Sequence, residues 1–172
     1  MHRTLRLILG GAIAAGFSTL SLLPCAATAG ELAKFDGFAP GTIVVQTKER
    51  RLYYTLGDGR ALRYPVGVGR IGMQWSGSTT ISGKYIKPAW SPPEMIKREN
   101  PAIPAVIPGG SPRNPMGAAA MTLSGGEYAI HGTNRPGSIG GFVSYCCIRM
   151  HNQDILDLYA RVNVGTPVVV VR

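Results

Sequence analysis

Between Pro101 and Pro115 the chain carries Pro101, Pro104, Pro108, Pro112 and Pro115 together with the pair Gly109-Gly110. Proline fixes φ and supplies no backbone N–H, so neither a helix nor an interior strand runs through this stretch. A segment this long without regular structure reads as an ordered surface loop or lid. Whatever core forms must come from the elements on either side of it.

Those elements read as short strands. Thr42-Ile43-Val44-Val45 is a continuous β-branched run of the kind buried in a sheet. Arg51–Leu56, the turn Gly57-Asp58-Gly59 and Arg60–Val66 form a hairpin pattern with alternating character. Thr79-Thr80-Ile81 and Lys84-Tyr85-Ile86 suggest two further short strands separated by a turn. Glu94–Asn100, after Trp90-Ser91-Pro92-Pro93, has room for one or two helical turns. Met116–Leu123 and Glu127–Ile130 are extended and apolar. One helix is well marked: Asn152 as N-cap, Asp154 in the first turn, and Ile155, Leu158, Tyr159 and Val162 at helical spacing, with Gly165 and Pro167 ending it. Val168–Val171 is a closing core strand. The expected fold is therefore mainly β, a sandwich or mixed sheet, with one or two short helices. A chain of 172 residues is of single-domain size.

The N-terminus reads differently. Arg3 and Arg6 precede an apolar run from Leu5 to Leu23, and Ala27-Thr28-Ala29 places small residues at the cleavage positions. We read residues 1–29 as a Sec-type signal peptide, 30–39 as a leader and 40–172 as the functional domain. The expectation is a periplasmic or secreted, wall-associated protein with no membrane span after cleavage. The formal charge of the whole sequence is +9; losing Arg3 and Arg6 with the signal leaves +7. Such a charge favours anionic surroundings, of which cell-wall polymers are one kind. The chain has no Lys/Arg block, no aromatic-interleaved basic stripe and no recognition-helix pattern, so nucleic acid is not an expected partner.

Cysteine counting points to chemistry. Cys25 falls within the signal, which leaves the adjacent pair Cys146-Cys147. Neighbouring residues join only through a strained vicinal disulfide, so these thiols are poor candidates for a structural staple. His131 and His151 are the histidines that remain. His131 follows the apolar Tyr128-Ala129-Ile130 and opens a Gly-containing loop that returns to the thiols. His151 stands where the chain turns into the helix. A thiol becomes a nucleophile when an oriented imidazole favours the thiolate, and His131 is the better base. Thr133 and Asn134 suit either turn chemistry or substrate amides. Arg149 suits either a substrate carboxylate or an ion pair with Asp154 or Asp157. Tyr85 and Trp90 are candidates for the wall of a substrate groove. Two histidines are too few for a zinc hydrolase site, and neither a Gly-x-Ser-x-Gly elbow nor a phosphate-binding Gly-rich loop occurs.

His131-Gly132-Thr133-Asn134 followed by Ser144-Tyr145-Cys146-Cys147-Ile148-Arg149-Met150 resembles the signature of the L,D-transpeptidase catalytic domain, or YkuD domain. That family has His-Gly-Thr, then Ser-His/Tyr-Gly-Cys, an apolar residue and Arg. The resemblance extends over residues 40–172 through the early strands, the Ser111–Gly117 segment and the closing valine strand. It implies a cysteine transpeptidase that needs no metal or organic cofactor. Its partners would be peptidoglycan stem peptides, with a second stem or a protein supplying the acceptor amine. It implies Cys147 as nucleophile and His131 as base, with Ser144 and Arg149 supporting the loop. Backbone N–H groups around Tyr145–Cys147 are placed to form an oxyanion hole, and the Gly132 carbonyl to orient the imidazole.

The departure is Cys146, where the family has Gly. If that position needs a positive φ, a Cβ there costs on the order of 1 kcal/mol and lowers activity. Two alternatives follow: a catalytically impaired peptidoglycan-binding protein, and an L,D-carboxypeptidase that lets water resolve the acyl-enzyme.

Overall fold

The computed structural model describes residues 29–172. The expected signal segment, with Cys25, lies outside the described residues save for Ala29.

The described chain forms eleven strands and two α-helices: β1 (Glu31–Lys34), β2 (Ile43–Gln46), β3 (Arg51–Gly57), β4 (Arg60–Pro65), β5 (Val68–Gly69), β6 (Gly77–Ile86), α1 (Glu94–Glu99), β7 (Ala119–Leu123), β8 (Ala129–His131), β9 (Phe142–Ser144), β10 (Ile148–Arg149), α2 (Asn152–Arg161) and β11 (Pro167–Val171). Nine strands make one sheet in the order β1-β4-β3-β2-β11-β6-β7-β8-β10, and β5 pairs with β9 separately. The expected mainly β fold with two short helices is the one observed.

The β-branched runs explain the middle of the sheet. Ile43, Val44 and Val45 are all buried because β2 is covered on both faces. Ile43 and Val45 join the main core with Leu52, Tyr64, Ile81, Met121, Ile130, Val168 and Val170. Val44 points the other way, to Tyr53 and Ala61, where the Phe35 ring stacks on Tyr53 at 4.1 Å. The last strand, β11, lies between β2, to which it is parallel, and β6, to which it is antiparallel. Helix α2 lays Ile155 and Leu158 into the main core. Burying each contributes about 1.5–3 kcal/mol.

Several local expectations are corrected. Thr79–Ile81 and Lys84–Ile86 belong to one strand, the ten-residue β6. Its ladder with β7 shifts register between Ile81 and Gly83, so the glycine marks an irregularity within a strand and not a turn. The segment assigned to a leader contributes β1, which pairs antiparallel with β4. Asn152 is the first residue of α2 and His151 its N-cap, with no side-chain cap bond. The helix ends at Arg161, ahead of Gly165. Lys84 supplies the terminal contact, its Nζ donating to the Tyr159 carbonyl at 2.8 Å while lying over the Tyr159 ring.

The proline-rich segment forms no helix and no ladder, as expected. It is held by the buried Asn114, whose Nδ2 donates to the Pro88 carbonyl at 2.9 Å and the Pro108 carbonyl at 3.1 Å, and by the bridge between Trp90 and Ile107. These bonds replace the ladder that proline forbids, so the loop is ordered.

Candidate active site

The two halves of the His–Cys stretch meet because β8 and β10 are parallel neighbours, with Ile148 opposite Ile130 and Arg149 opposite His131. The Met150 N–H donates to the His131 carbonyl at 2.8 Å. The intervening chain crosses over through a 3-10 turn at Pro136–Ser138 and through β9, returning the cysteines beside the histidine.

His131 is buried, and its Nδ1 lies 2.6 Å from the Gly132 carbonyl. A carbonyl oxygen only accepts, so Nδ1 carries the proton and, in the neutral ring, Nε2 carries the lone pair. The backbone thus fixes the tautomer without a carboxylate. Gly132 is fixed in turn: a Cβ there would stand 2.3 Å from Asn152 Oδ1 and 2.9 Å from the Ala118 nitrogen. Asn152 is the clasp, its Oδ1 accepting from the Ala118 N–H at 3.0 Å and the Thr133 N–H at 3.1 Å. The residue read as a helix cap ties the His131-Gly132-Thr133 strand end to the segment before β7.

Ser144 is buried and its Oγ donates to the Cys147 carbonyl at 2.6 Å, closing the turn that presents both thiols. Both cysteines are free. The Cys147 thiol is held well below its ordinary range, first by a hydrogen bond from the Cys146 thiol; burial opposes this, and the His131 ring and a backbone N–H at Ala129 reinforce it. The Cys146 thiol is pushed up by the same bond, by burial and by the charges of Cys147 and Glu127. Of the two thiols, Cys147 is therefore the one whose ionisation is favoured.

Cys146 shows no backbone strain. Among the described residues the non-glycine positions with positive φ are Arg50, Asp58 and Lys87, so the cost expected from a side chain at position 146 does not arise. Cys146→Gly removes the donor, and the pH midpoint for iodoacetamide alkylation of Cys147 is expected to move upward. An unchanged midpoint would show that the donated bond does nothing.

Comparison with known proteins bears on the same residues. Residues 40–170 match the L,D-transpeptidase catalytic domain, YkuD. The chain belongs to that family. It is 40% identical over 135 residues to the probable L,D-transpeptidase YbiS of Escherichia coli, covering 73% of this chain and 43% of YbiS; the chain thus spans less than half the length of that relative. It is similar in fold to L,D-transpeptidase 3 of Mycobacterium tuberculosis (TM-score 0.59, 16% identity, 76% of this chain and 60% of that one). It is also similar to a Brucella melitensis protein described as a probable carnitine operon oxidoreductase (TM-score 0.55, 40% identity, 82% of this chain and 92% of that one).

In this L,D-transpeptidase-family chain the thiols and His131 open onto a cavity of about 680 Å³ whose walls include Trp75, Trp90, Tyr128, Glu127 and Met116. Of the two proposed groove residues, Trp90 lines this cavity, whereas Tyr85 is half exposed and lines neither it nor its neighbours. Thr133 and Asn134 face an adjoining cavity with Asn152 and Pro112. Thr133 is buried and its Oγ1 accepts from the Arg135 N–H, and Asn134 Nδ2 donates to the Pro112 carbonyl; both shape the loop. Arg149 forms no ion pair with Asp154 or Asp157. Asp157 instead bonds Arg161 and the Tyr64 hydroxyl, and the buried Nε of Arg149 has no partner.

Residues that sequence reasoning missed surround the thiols. Trp75 stacks on Tyr128 at 4.7 Å, and its Nε1 donates to the Cys146 carbonyl at 3.2 Å. Tyr145 lies under the Arg70 guanidinium, which is 4.6 Å from the ring centroid, and its hydroxyl donates to the Glu99 carboxylate, linking the cysteine turn to α1. A large aromatic in an otherwise Gly/Ser/Thr-rich stretch was the available signal for Trp75. Among the described residues no group of three or more His, Cys, Asp or Glu side chains is placed to hold a metal ion, and no helix is long and apolar enough to cross a membrane.

Proposed function

We propose that this protein is an exported cysteine L,D-transpeptidase that acts on peptidoglycan tetrapeptide stems in the periplasm or wall, without a cofactor. The observation that carries the reading is the buried His131, fixed by the Gly132 carbonyl, beside a half-buried thiol whose ionisation is favoured.

In this reading the Cys147 sulfur attacks the carbonyl that joins the L-centre of the third stem residue to the D-residue. A C–S bond forms, and the oxygen charge is met by the N–H groups of Tyr145, Cys146 and Cys147, which take no part in the backbone bonds of the described residues. Each such donor is worth about 3 kcal/mol at the transition state. His131 Nε2, which takes the Cys147 thiol proton as the thiolate forms, gives that proton to the departing amine as the C–N bond breaks, leaving a thioester. It then takes a proton from the incoming amine of a second stem or of an acceptor protein, which attacks the thioester, expels the sulfur and restores the thiolate.

Trimming would use the same thioester with water as acceptor. Incubation of the purified protein with disaccharide tetrapeptides is expected to give a thioester mass on Cys147 and cross-linked dimers. Tripeptides alone would make it a carboxypeptidase, and absence of any adduct on Cys147 would overturn the acyl-enzyme altogether. The reading of an impaired wall-binding protein loses one of its supports, the backbone strain expected at Cys146.

A further inference from the structure

Beside the thiol cavity lies a second cavity of about 590 Å³, and its lining includes Arg70, Arg113, Arg135 and Arg149. The two share Trp90, Ile96, Pro115, Tyr145 and Arg149 as walls, so a ligand in one is a neighbour of a ligand in the other. No Asp or Glu lines the second cavity. The ion pairs of the described residues involve Arg60, Arg63, Lys97 and Arg161, none of these four arginines. Glu99, the acid that comes nearest to this wall through its contact with Tyr145, is engaged by the tyrosine hydroxyl. The Arg149 Nε is buried without a partner; burial lowers the stability of its cation, the charge of Cys147 offsets part of that loss, and the charges of Arg135 and Arg70 add to it. Like charges gathered in one cavity and left unpaired favour arrival of an anion.

We infer that the four-arginine cavity is the amine-side subsite of the acyl transfer, and that it recognises a carboxylate carried next to the reacting nitrogen. The inference rests on the acyl-enzyme reading of Cys147. The thiol cavity, with its aromatic wall and the carboxylates of Glu94 and Glu127, holds the acyl donor; the arginine cavity is the remaining approach that shares Arg149 and Tyr145 with it. By microscopic reversibility the leaving amine and the attacking amine occupy the same side of the thioester. The leaving D-residue of a tetrapeptide is an amine with a neighbouring carboxylate, so the subsite that releases it also selects acceptors of that form. When the amine attacks, its nitrogen forms the C–N bond, its proton passes to His131, the C–S bond breaks and Cys147 recovers the electron pair; the carboxylate stays on the arginines throughout. Arg113 and Arg135 are binding residues in this scheme and take no part in the proton transfers.

The test compares the wild type with Arg113→Ala/Arg135→Ala, and iodoacetamide alkylation of Cys147 checks that the nucleophile is intact in both. In one arm the donor is a tetrapeptide with a free terminal carboxylate or its C-terminal amide, and thioester formation is timed by intact mass. In the other the preformed thioester is resolved with D-alanine or D-alaninamide. The substitutions are expected to raise KM about tenfold for the carboxylate partner and to leave the amide nearly unchanged. The ratio between proteins is the readout, since the two amines differ in basicity. Selective loss with the donor carboxylate assigns the leaving group to the cavity, selective loss with D-alanine assigns the acceptor, and either supports the subsite. Thioester formation with equal effects on carboxylate and amide overturns the subsite alone. Absence of a thioester in the wild type overturns the acyl-enzyme reading and the subsite with it.

Discussion

Cys147→Ala is expected to lower acyl transfer by on the order of 10⁴-fold or more, the scale seen when a covalent nucleophile is removed, with little change in melting temperature. The side chain lost is small and its turn is closed by the Ser144 hydroxyl on the backbone carbonyl of residue 147, which the substitution keeps. Cys147→Ser is expected to fail nearly as badly. The site favours ionisation of a thiol through one donated S–H bond and one imidazole, and a hydroxyl begins several pH units further from ionisation. The pH dependence has a definite sign. A depressed Cys147 keeps the thiolate populated below the ordinary thiol range, so acylation is expected to persist on the acid side of that range and to fall when the thiolate is protonated. Stopped-flow acylation of wild type and both variants across pH checks the point; a serine variant retaining a tenth of the wild-type rate would contradict it.

Gly132→Ala is expected to damage both the fold and the rate. The new Cβ meets Asn152 Oδ1 at 2.3 Å and the Ala118 nitrogen at 2.9 Å, both on backbone-tied groups, so the loop must move. Overpacking and loss of the two Asn152 bonds together cost about 2–4 kcal/mol. The Gly132 carbonyl that holds His131 Nδ1 moves with it, so the loss of rate is expected to exceed the loss of folded protein. Thermal melting beside kcat measured on the folded fraction separates the two effects. A variant that melts like the wild type and turns over normally would mean that the clasp is slack.

Much of this was readable from the chain. Short β-branched runs between turn residues specify a sheet because each run is too short to bury itself in any other way, and the proline density around Pro108 left no choice but a loop. The nearness of His131 to the thiol pair was readable from order and spacing, the choice of Cys147 came from the family resemblance, and the parallel register of β8 and β10 is what makes that spacing work. The failures have physical causes. Gly83 looks like a turn residue, but a strand tolerates a glycine where its ladder changes register. Asn152 carries the right side chain for a cap, but capping and loop clasping use the same acceptor oxygen, and only tertiary structure decides which donors reach it. Arg149 looked like half of an ion pair because carboxylates lie close in sequence; α2 turns Asp157 to Arg161 and Tyr64 and buries Asp154. Arg70 and Trp75 come to the site from the loop between β5 and β6 and Arg135 from the crossover after β8, and no periodicity links them.

The placement of β11 has a consequence for the order of assembly. The middle position of the nine-stranded sheet is filled by β11, which follows every other described strand in the sequence. Until Pro167–Val171 are free, β1–β4 on one flank and β6, β7, β8 and β10 on the other are two half-sheets with exposed edges. Their union closes a loop spanning most of the domain, a high-contact-order step that is slow relative to hairpin formation. A chain threaded outward from its N-terminus would therefore remain in two incomplete halves until β11 arrived, and the His131–Cys147 flank would gain its full support only when that strand was laid in.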